Sequence, residues 1–340
     1  MSSSIASQPI NSGVSVVVCC HNSARKLPAT LLHLSKQLTQ VNWEIIIVDN
    51  NSSDNTASLA LSFWNGLNTQ NTIRIVTEPK PGLTNARIKG VQAAQFDLIL
   101  FCDDDNWLAE DYVDKAYRLM TTERNIGILG GIGVGEFEGE VPRWVKGLLR
   151  LFAVGVPLSA TGVDIRTAYG AGMIVKKEIF SILNRLNYQL MLSDRIGTQL
   201  SSGGDTELCL LAQVLGFKVC SSDALSFSHF IPVEKMRSGY INNILQNNAK
   251  SESMLLPYFL FLRKKRVNGF YYSGYIIKAF MSGILKIILG ALFFNKANIL
   301  MARHRLALSR NLWYDYRNFQ VNYDKISNFY THYYSEVNAQ

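Results

Sequence analysis

LILFCDDD, residues 98–105, decides the reading of this chain. Its five leading apolar residues suit a strand buried on both faces, and they run without a turn residue into three adjacent aspartates. Neighbouring carboxylates repel one another and stay ionised only where solvent or a cation compensates. A hard divalent cation shared with phosphate oxygens is one such compensation, because Mg²⁺ binds through one or two carboxylates plus substrate phosphates. A solvated acidic turn is the other reading of a bare triple aspartate. The surrounding sequence chooses between them.

Upstream, VSVVVCC (14–20) and WEIIIV (43–48) are two more runs of buried-strand type, the second ending at Asp49. Between them Leu27, Leu31, Leu34 and Leu38 recur at helical spacing. Asp54 is suited to cap a helix through Leu59 and Phe63. Residues 73–76 predict a third strand, and 83–94 a helix opened by Pro81-Gly82. Downstream, 126–134, 168–175 and 217–220 predict strands, and Asp205 opens a helical pattern through Leu208, Leu211 and Leu215. Residues 135–166 carry no clear pattern.

Strands alternating with helices at this spacing predict an α/β fold with a mainly parallel central sheet flanked by helices. Ligands of such sheets sit beyond the carboxyl ends of the strands. Asp49 and the run Asp103, Asp104 and Asp105 both fall at those ends. One crevice is therefore expected to collect them across 54 positions of sequence. That placement favours the metal-diphosphate reading over the solvated turn.

The 340 residues are 48% hydrophobic and 18% charged, which supports a sizeable core and excludes wholesale disorder. The net charge of +8 is unevenly spread: residues 1–234 carry 19 basic and 22 acidic side chains, residues 235–340 carry 15 and 4. The two parts face different partners. The five cysteines form no CxxC or Cys/His ligand pattern and read as buried thiols of a reducing compartment. The polar start, MSSSIASQPINSG, lacks the charged and apolar regions of a secretory signal, so the expected location is the cytoplasm or, peripherally, the cytoplasmic face of the inner membrane.

Five segments, in this order, resemble the inverting family-2 glycosyltransferases of the GT-A fold, of the bacterial polysaccharide and cell-surface glycan type. VSVVVCCHN is similar to the opening strand and nucleotide-contacting turn, and WEIIIVDNNSSDNT to the second strand and its Asp-bearing turn. PGLTNARIKGVQAA resembles the segment with a phosphate- or base-facing arginine. FCDDDN resembles the metal-binding DxD, and GGDTELCLLA the motif that opens the base-bearing helix. The resemblance covers residues 14–235. It implies a GT-A catalytic domain over 1–235 and leaves 236–340 as a helical, basic, apolar extension. It further implies transfer of a sugar from a nucleoside-diphosphate sugar to a glycan or lipid-linked acceptor.

Carried onto this chain, the resemblance implies that His21, Asn22 and Asp49 contact the nucleotide. Arg87 would hold base or phosphates, although an exposed helix cation is the plain alternative. Asp103 and Asp104 would face the donor. Asp103 and Asp105 would be the outer acids of the DxD, Asp105 the direct ligand of Mn²⁺ or Mg²⁺. Asp205 would be the general base, with Glu207 the competing acid and a helix N-cap the non-chemical role for Asp205. The family often has Glu-Asp where this chain has Gly204-Asp205. His229 would lie near the metal or diphosphate, or serve packing alone. Trp144 is suited to stack on an acceptor sugar or to fill a core. Residues 169–172, Tyr-Gly-Ala-Gly, offer a backbone that an acceptor can approach closely.

The tail has a chemistry of its own. YFLFLRKKRV (258–267) joins aromatics to four cations, and an apolar stretch follows over 274–294. On a helix Lys278, Ser282 and Lys286 align in one polar stripe. Two lysines within about twenty residues disfavour a spanning helix and suit one lying on an anionic membrane surface. A helix packed on the catalytic domain, its lysines reaching outward, is the alternative. A sugar nucleotidyltransferase would call for a Gly-rich turn after the first strand, and CCHNSARK has none. A nicotinamide enzyme lacks its GxGxxG for the same reason. A membrane-associated scaffold without catalysis would not need the intact acids. Nucleic-acid binding is disfavoured by the long apolar helix inside the basic region.

Overall fold

The computed structural model describes residues 11–67, 69, 71–157, 166–192, 203–265 and 269–339. Arg266 and Val267 of the basic block, and the first ten residues of the polar start, lie outside these.

β1 (Val14–Cys20), β2 (Trp43–Asp49), β3 (Ile73–Thr77) and β4 (Leu98–Asp103) form a parallel group in the order β3-β2-β1-β4. The continuous apolar runs of β1, β2 and β4 are explained by burial on both faces. Val17, Ile46, Ile99 and Phe101 enter one core, while Val16, Val18, Ile45, Ile47 and Leu100 enter the other. Helices α1 (Leu27–Ser35), α2 (Thr56–Gly66) and α4 (Tyr112–Thr122) cover the second face. α3 (Leu83–Ala93), α5 (Lys177–Arg185) and α6 (Gly204–Val214) cover the first. α3 lies so close to β1 that a Cβ on Gly90 would stand 2.3 Å from Val17 Cγ1. Only glycine fits there.

Beyond β4 the sheet becomes mixed, while parallel pairings still outnumber antiparallel ones, in keeping with the mainly parallel expectation. The eight strands run β3-β2-β1-β4-β7-β6-β8-β5. β7 (Met173–Lys176) pairs antiparallel with both β4 and β6 (Ile126–Phe137). β6 runs parallel to β8 (Lys218–Ile231), and the short β5 (Asn106–Leu108) pairs antiparallel with β8. Of the expected strand at 168–175 only the last part forms, and 217–220 grows into fourteen residues. The unassigned stretch holds a 3-10 turn at Lys146–Phe152. Leu38 lies past the end of α1 and is 67% exposed.

Three helices follow: α7 (Ser238–Leu262), α8 (Gly269–Leu292) and α9 (Lys296–Ala339). α7 and α9 join the first of these two cores through Leu255, Tyr258, Ile326, Phe329 and Tyr333. Helix α8 touches α9 along its length and leaves most of its surface in water.

Candidate active site

Strand register does the first part of the assembly. Cys20 pairs with Asp49 across β1 and β2, and Cys19 pairs with Asp103 across β1 and β4. Both acids therefore sit at the same carboxyl edge, on either side of the central strand. The turn after β1 and the turn after β2 are laced together there. The His21 Nδ1–H donates to the Asn50 carbonyl at 2.8 Å, and the Ser53 amide donates to Asn22 Oδ1 at 2.8 Å. Asn22 adopts a φ of 52°, a left-handed conformation that asparagine tolerates. Asp49 Oδ1 accepts the Ser52 amide at 3.2 Å.

The three aspartates diverge. Asp103 ends β4 and is half-buried. Asp104 is buried and faces α1: Ser23 Oγ donates to one oxygen, Lys26 Nζ to the other at 2.8 Å, and Thr30 Oγ1 bonds its carbonyl at 2.9 Å. Burial first, and then the charge of Asp105, raises the Asp104 carboxyl against the pull of Lys26. Asp105 is 7% exposed and is met by three groups. Lys235 Nζ donates to Oδ2 at 2.9 Å, Lys26 Nζ lies 3.9 Å from the same oxygen, and His229 Nε2 lies 3.5 Å from Oδ1. Burial works to raise this carboxyl, but His229, Lys235 and Lys26 outweigh it and hold it well below the ordinary carboxylate range.

His229 reaches Asp105 through the β5–β8 ladder, which sets it opposite Asn106, and the Phe230 amide bonds the Asp105 carbonyl at 3.0 Å. Its Nδ1 is 2.6 Å from the Phe152 carbonyl, an acceptor only, so Nδ1 carries the proton. Nε2 is left facing a carboxylate. An imidazole nitrogen fixed from behind by a carbonyl, beside a carboxylate, is a donor pair suited to Mn²⁺. Among the described residues no group of three His, Cys, Asp or Glu is spaced to hold a metal by itself. The pair fits an ion whose remaining ligands come from substrate phosphates and water, the pattern typical of Mg²⁺.

A second cluster forms around Gly170. Its amide donates to Asp205 Oδ2 at 3.0 Å, and the Thr206 amide donates to Oδ1 at 2.7 Å. Asp205 lies in the first turn of α6 but is not its cap, a position held by Gly203. Arg87 is buried and stacks over Phe101 at 5.5 Å, so it is not an exposed helix cation. A Cβ on Gly170 would come within 2.4 Å of an Arg87 terminal nitrogen and 3.4 Å of Asp205 Cβ. The lack of a side chain at Gly170 is what lets Arg87 and Asp205 share this corner.

Glu207, two residues on, is fully buried. It accepts the amides of Met191 and Leu192 at 2.7 and 2.9 Å and the Tyr258 hydroxyl at 2.8 Å. Burial raises its carboxyl despite these bonds. Glu207 therefore ties α6 to α7 and has no access to an acceptor. Trp144 packs in a satellite core with Lys296 Nζ 4.6 Å from its ring centroid. Ser23, Lys26 and Lys235 carry no signal in the sequence. Lys26 stands in the CCHNSARK turn and Lys235 six residues after His229, but nothing local distinguishes them from surface lysines.

Residues 15–181 match the family model described as glycosyl transferase family 2. EpsH of Bacillus subtilis, named as a glycosyltransferase, is 30% identical over 115 residues, 34% of this chain and 32% of that protein. The UDP-Glc:alpha-D-GlcNAc-diphosphoundecaprenol beta-1,3-glucosyltransferase WfgD of Escherichia coli is 33% identical over 98 residues, 28% of this chain and 36% of WfgD. The chain spans about a third of the length of the curated relatives it matches. The mannosyltransferase PcManGT of Pyrobaculum calidifontis, solved with GDP-Man and Mn²⁺, shares the fold at a TM-score of 0.57 and 15% identity. The likeness covers 90% of this chain and 91% of that one.

Proposed function

We propose, from the premise that this chain belongs to glycosyl transferase family 2 through residues 15–181, that it is a metal-dependent inverting enzyme of bacterial cell-surface polysaccharide synthesis. It moves a sugar from a nucleoside-diphosphate sugar to a hydroxyl of a glycan or lipid-linked glycan. The observation that carries this reading is the meeting of Asp105 and His229, 3.5 Å apart, at the carboxyl edge of the parallel strands. The GDP-Man and Mn²⁺ held by PcManGT and the lipid-diphosphate acceptor in the name of WfgD support it.

His21, Asn22 and Asp49 line the nucleotide end of the crevice, and Arg87 and Asp103 the donor's charged part. Asp105 and His229 would hold Mn²⁺ or Mg²⁺, which when bound supplies positive charge beside the departing diphosphate. Lys26 and Lys235 add two ammonium groups at the same place, and Asp104 orients Lys26. Asp205, held by two backbone amides, accepts the proton of an acceptor hydroxyl as its oxygen bonds the anomeric carbon. The bond from that carbon to the diphosphate oxygen breaks, the nucleoside diphosphate leaves with the electron pair, and attack from the opposite face inverts the centre. Positioning of the two substrates supplies much of the acceleration. Residues 236–340 hold the enzyme against an anionic membrane on its cytoplasmic side, where a lipid-linked acceptor would lie.

A panel of UDP-, GDP- and dTDP-sugars, with Mn²⁺ or Mg²⁺ and lipid-diphosphate sugar acceptors, tests this by release of nucleoside diphosphate. One donor is expected to turn over only with metal. Turnover unchanged in Asp105→Ala would remove the assignment of the acidic run.

A further inference from the structure

Helix α8 shows solvent what a helix of a water-soluble domain ordinarily hides. Its buried positions, Tyr272, Ala279, Gly283 and Gly290, face α9. The packing is tight enough that a Cβ on Gly283 would stand 2.8 Å from Leu306 and one on Gly290 2.5 Å from Ile299. In steps of four and three along the opposite face stand Ile277, Met281, Leu285, Ile288 and Leu292, each between 50% and 66% exposed. A continuous apolar strip of this length marks an interaction surface rather than scattered exposed side chains.

The surroundings say what covers it. α9 exposes Arg303, Arg310 and Arg317 at seven-residue spacing and therefore on one face, and Lys278 is exposed on α8 itself. Aromatic rings stand in water at both ends of α8: Phe270 is 90% and Phe294 96% exposed. An apolar strip, a basic rim and terminal aromatics together match a helix seated at a lipid headgroup boundary. A second copy docked through a two-fold would set one basic rim against another, and residues 235–340 already carry 15 basic against 4 acidic side chains.

α8 is long and apolar enough to cross a bilayer. Its contacts with α9 forbid that. The Tyr272 hydroxyl bonds the Leu312 carbonyl, Ser309 Oγ bonds the Ile276 carbonyl, and Gly290 meets Ile299, so the two helices run antiparallel in register. Crossing would draw the α9 segment with Arg303, Arg305 and Arg310 into hydrocarbon.

We infer that α8 lies in the plane of an anionic bilayer, its Ile277-Met281-Leu285-Ile288 face in the acyl boundary and the arginine row of α9 among the headgroups. This rests on the membrane-surface reading above and adds to it the face, the orientation and the source of the charge preference. Flotation of the full chain with phosphatidylcholine vesicles, with and without phosphatidylglycerol, tests it. The chain is expected to float with the anionic vesicles and to be stripped from them by alkaline carbonate. Ile277→Glu/Met281→Glu/Leu285→Glu is expected to weaken binding by about tenfold or more, with an unchanged circular dichroism spectrum because these side chains already stand in water. Arg303→Gln/Arg310→Gln/Arg317→Gln is expected to lose the preference for phosphatidylglycerol. Undiminished flotation of the triple-glutamate variant would overturn the face while leaving membrane attachment standing. Resistance to carbonate would overturn the in-plane orientation. A wild-type chain that ignores all vesicles would overturn both this inference and the attachment it rests on.

Discussion

Asp105 is 7% exposed and Ile277 is 61% exposed, and in most domains the two residue types would exchange places. The carboxyl edge of β1, β2 and β4 takes charge out of water, and the outer face of α8 leaves hydrocarbon in it. The two regions also manage their costs differently. The crevice neutralises each buried acid from within, with Lys26 and Ser23 on Asp104 and Lys235 and His229 on Asp105. α8 has no internal answer, because α9 covers one side only. A region that compensates itself can wait for a small ligand, whereas one that does not requires a surface. The crevice reads as a site, and the helix as an attachment.

The comparison breaks most sharply at α6, where two acids two residues apart are put to opposite uses. Asp205→Asn is expected to keep donor binding and lose transfer by about 10²–10⁴-fold, the usual contribution of a positioned base, in single-turnover assays. Transfer at the wild-type rate would move the base role elsewhere. Next in size is metal uptake. On the proposed site, in which Asp105 and His229 are the described residues that would hold the ion, Mn²⁺ bound in electron paramagnetic resonance titrations is expected to rise steeply when nucleoside diphosphate is added. Asp105→Asn should erase that rise. Equal uptake with and without nucleotide would mean the protein holds the ion alone.

Glu207→Gln sharpens the contrast from the structural side. It turns one of the two oxygens that accept from the Met191 and Leu192 amides and the Tyr258 hydroxyl into an NH2 donor, and about 1–3 kcal/mol of stability should go with it in urea unfolding. The smallest effect concerns the bond between α7 and α9. Partial burial works to raise the Glu252 carboxyl, but His304 and Arg305 outweigh it and hold it below its ordinary value of 4.5. A lowered folded value adds stability above the unfolded one and loses it as pH falls through the folded one. Glu252→Gln should therefore unfold slightly more easily at neutral pH, by about 1 kcal/mol or less for so exposed a carboxyl, and match the wild type in acid.

Much of the parallel half of the fold was legible because its signals are local. Runs such as VSVVVCC and LILFC can satisfy themselves only as strands covered on both faces, and the alternating cores confirm that origin. The mixed half was harder to read. β6 and β8 carry glycines, serines and exposed positions whose strand state depends on partners. For the same reason the helix at Asp205 was legible while the fates of its two acids were not: Glu207 is spent on Met191, Leu192 and Tyr258, and all three partners lie outside the α6 pattern.

By itself the sequence determined that Asp49 and Asp103, at the ends of two buried strands, would share one edge, since strand polarity and crossover helices place every such end there. It determined the basic excess of the last hundred or so residues as well. Tertiary structure alone decided which aspartate meets His229 and Lys235. That contact depends on a ladder between β5 and β8, and pairing across more than a hundred residues leaves no periodic trace in either strand. It also decided that the apolar side of α8 faces outward, because a helical stripe tells which residues lie together and not which way they point.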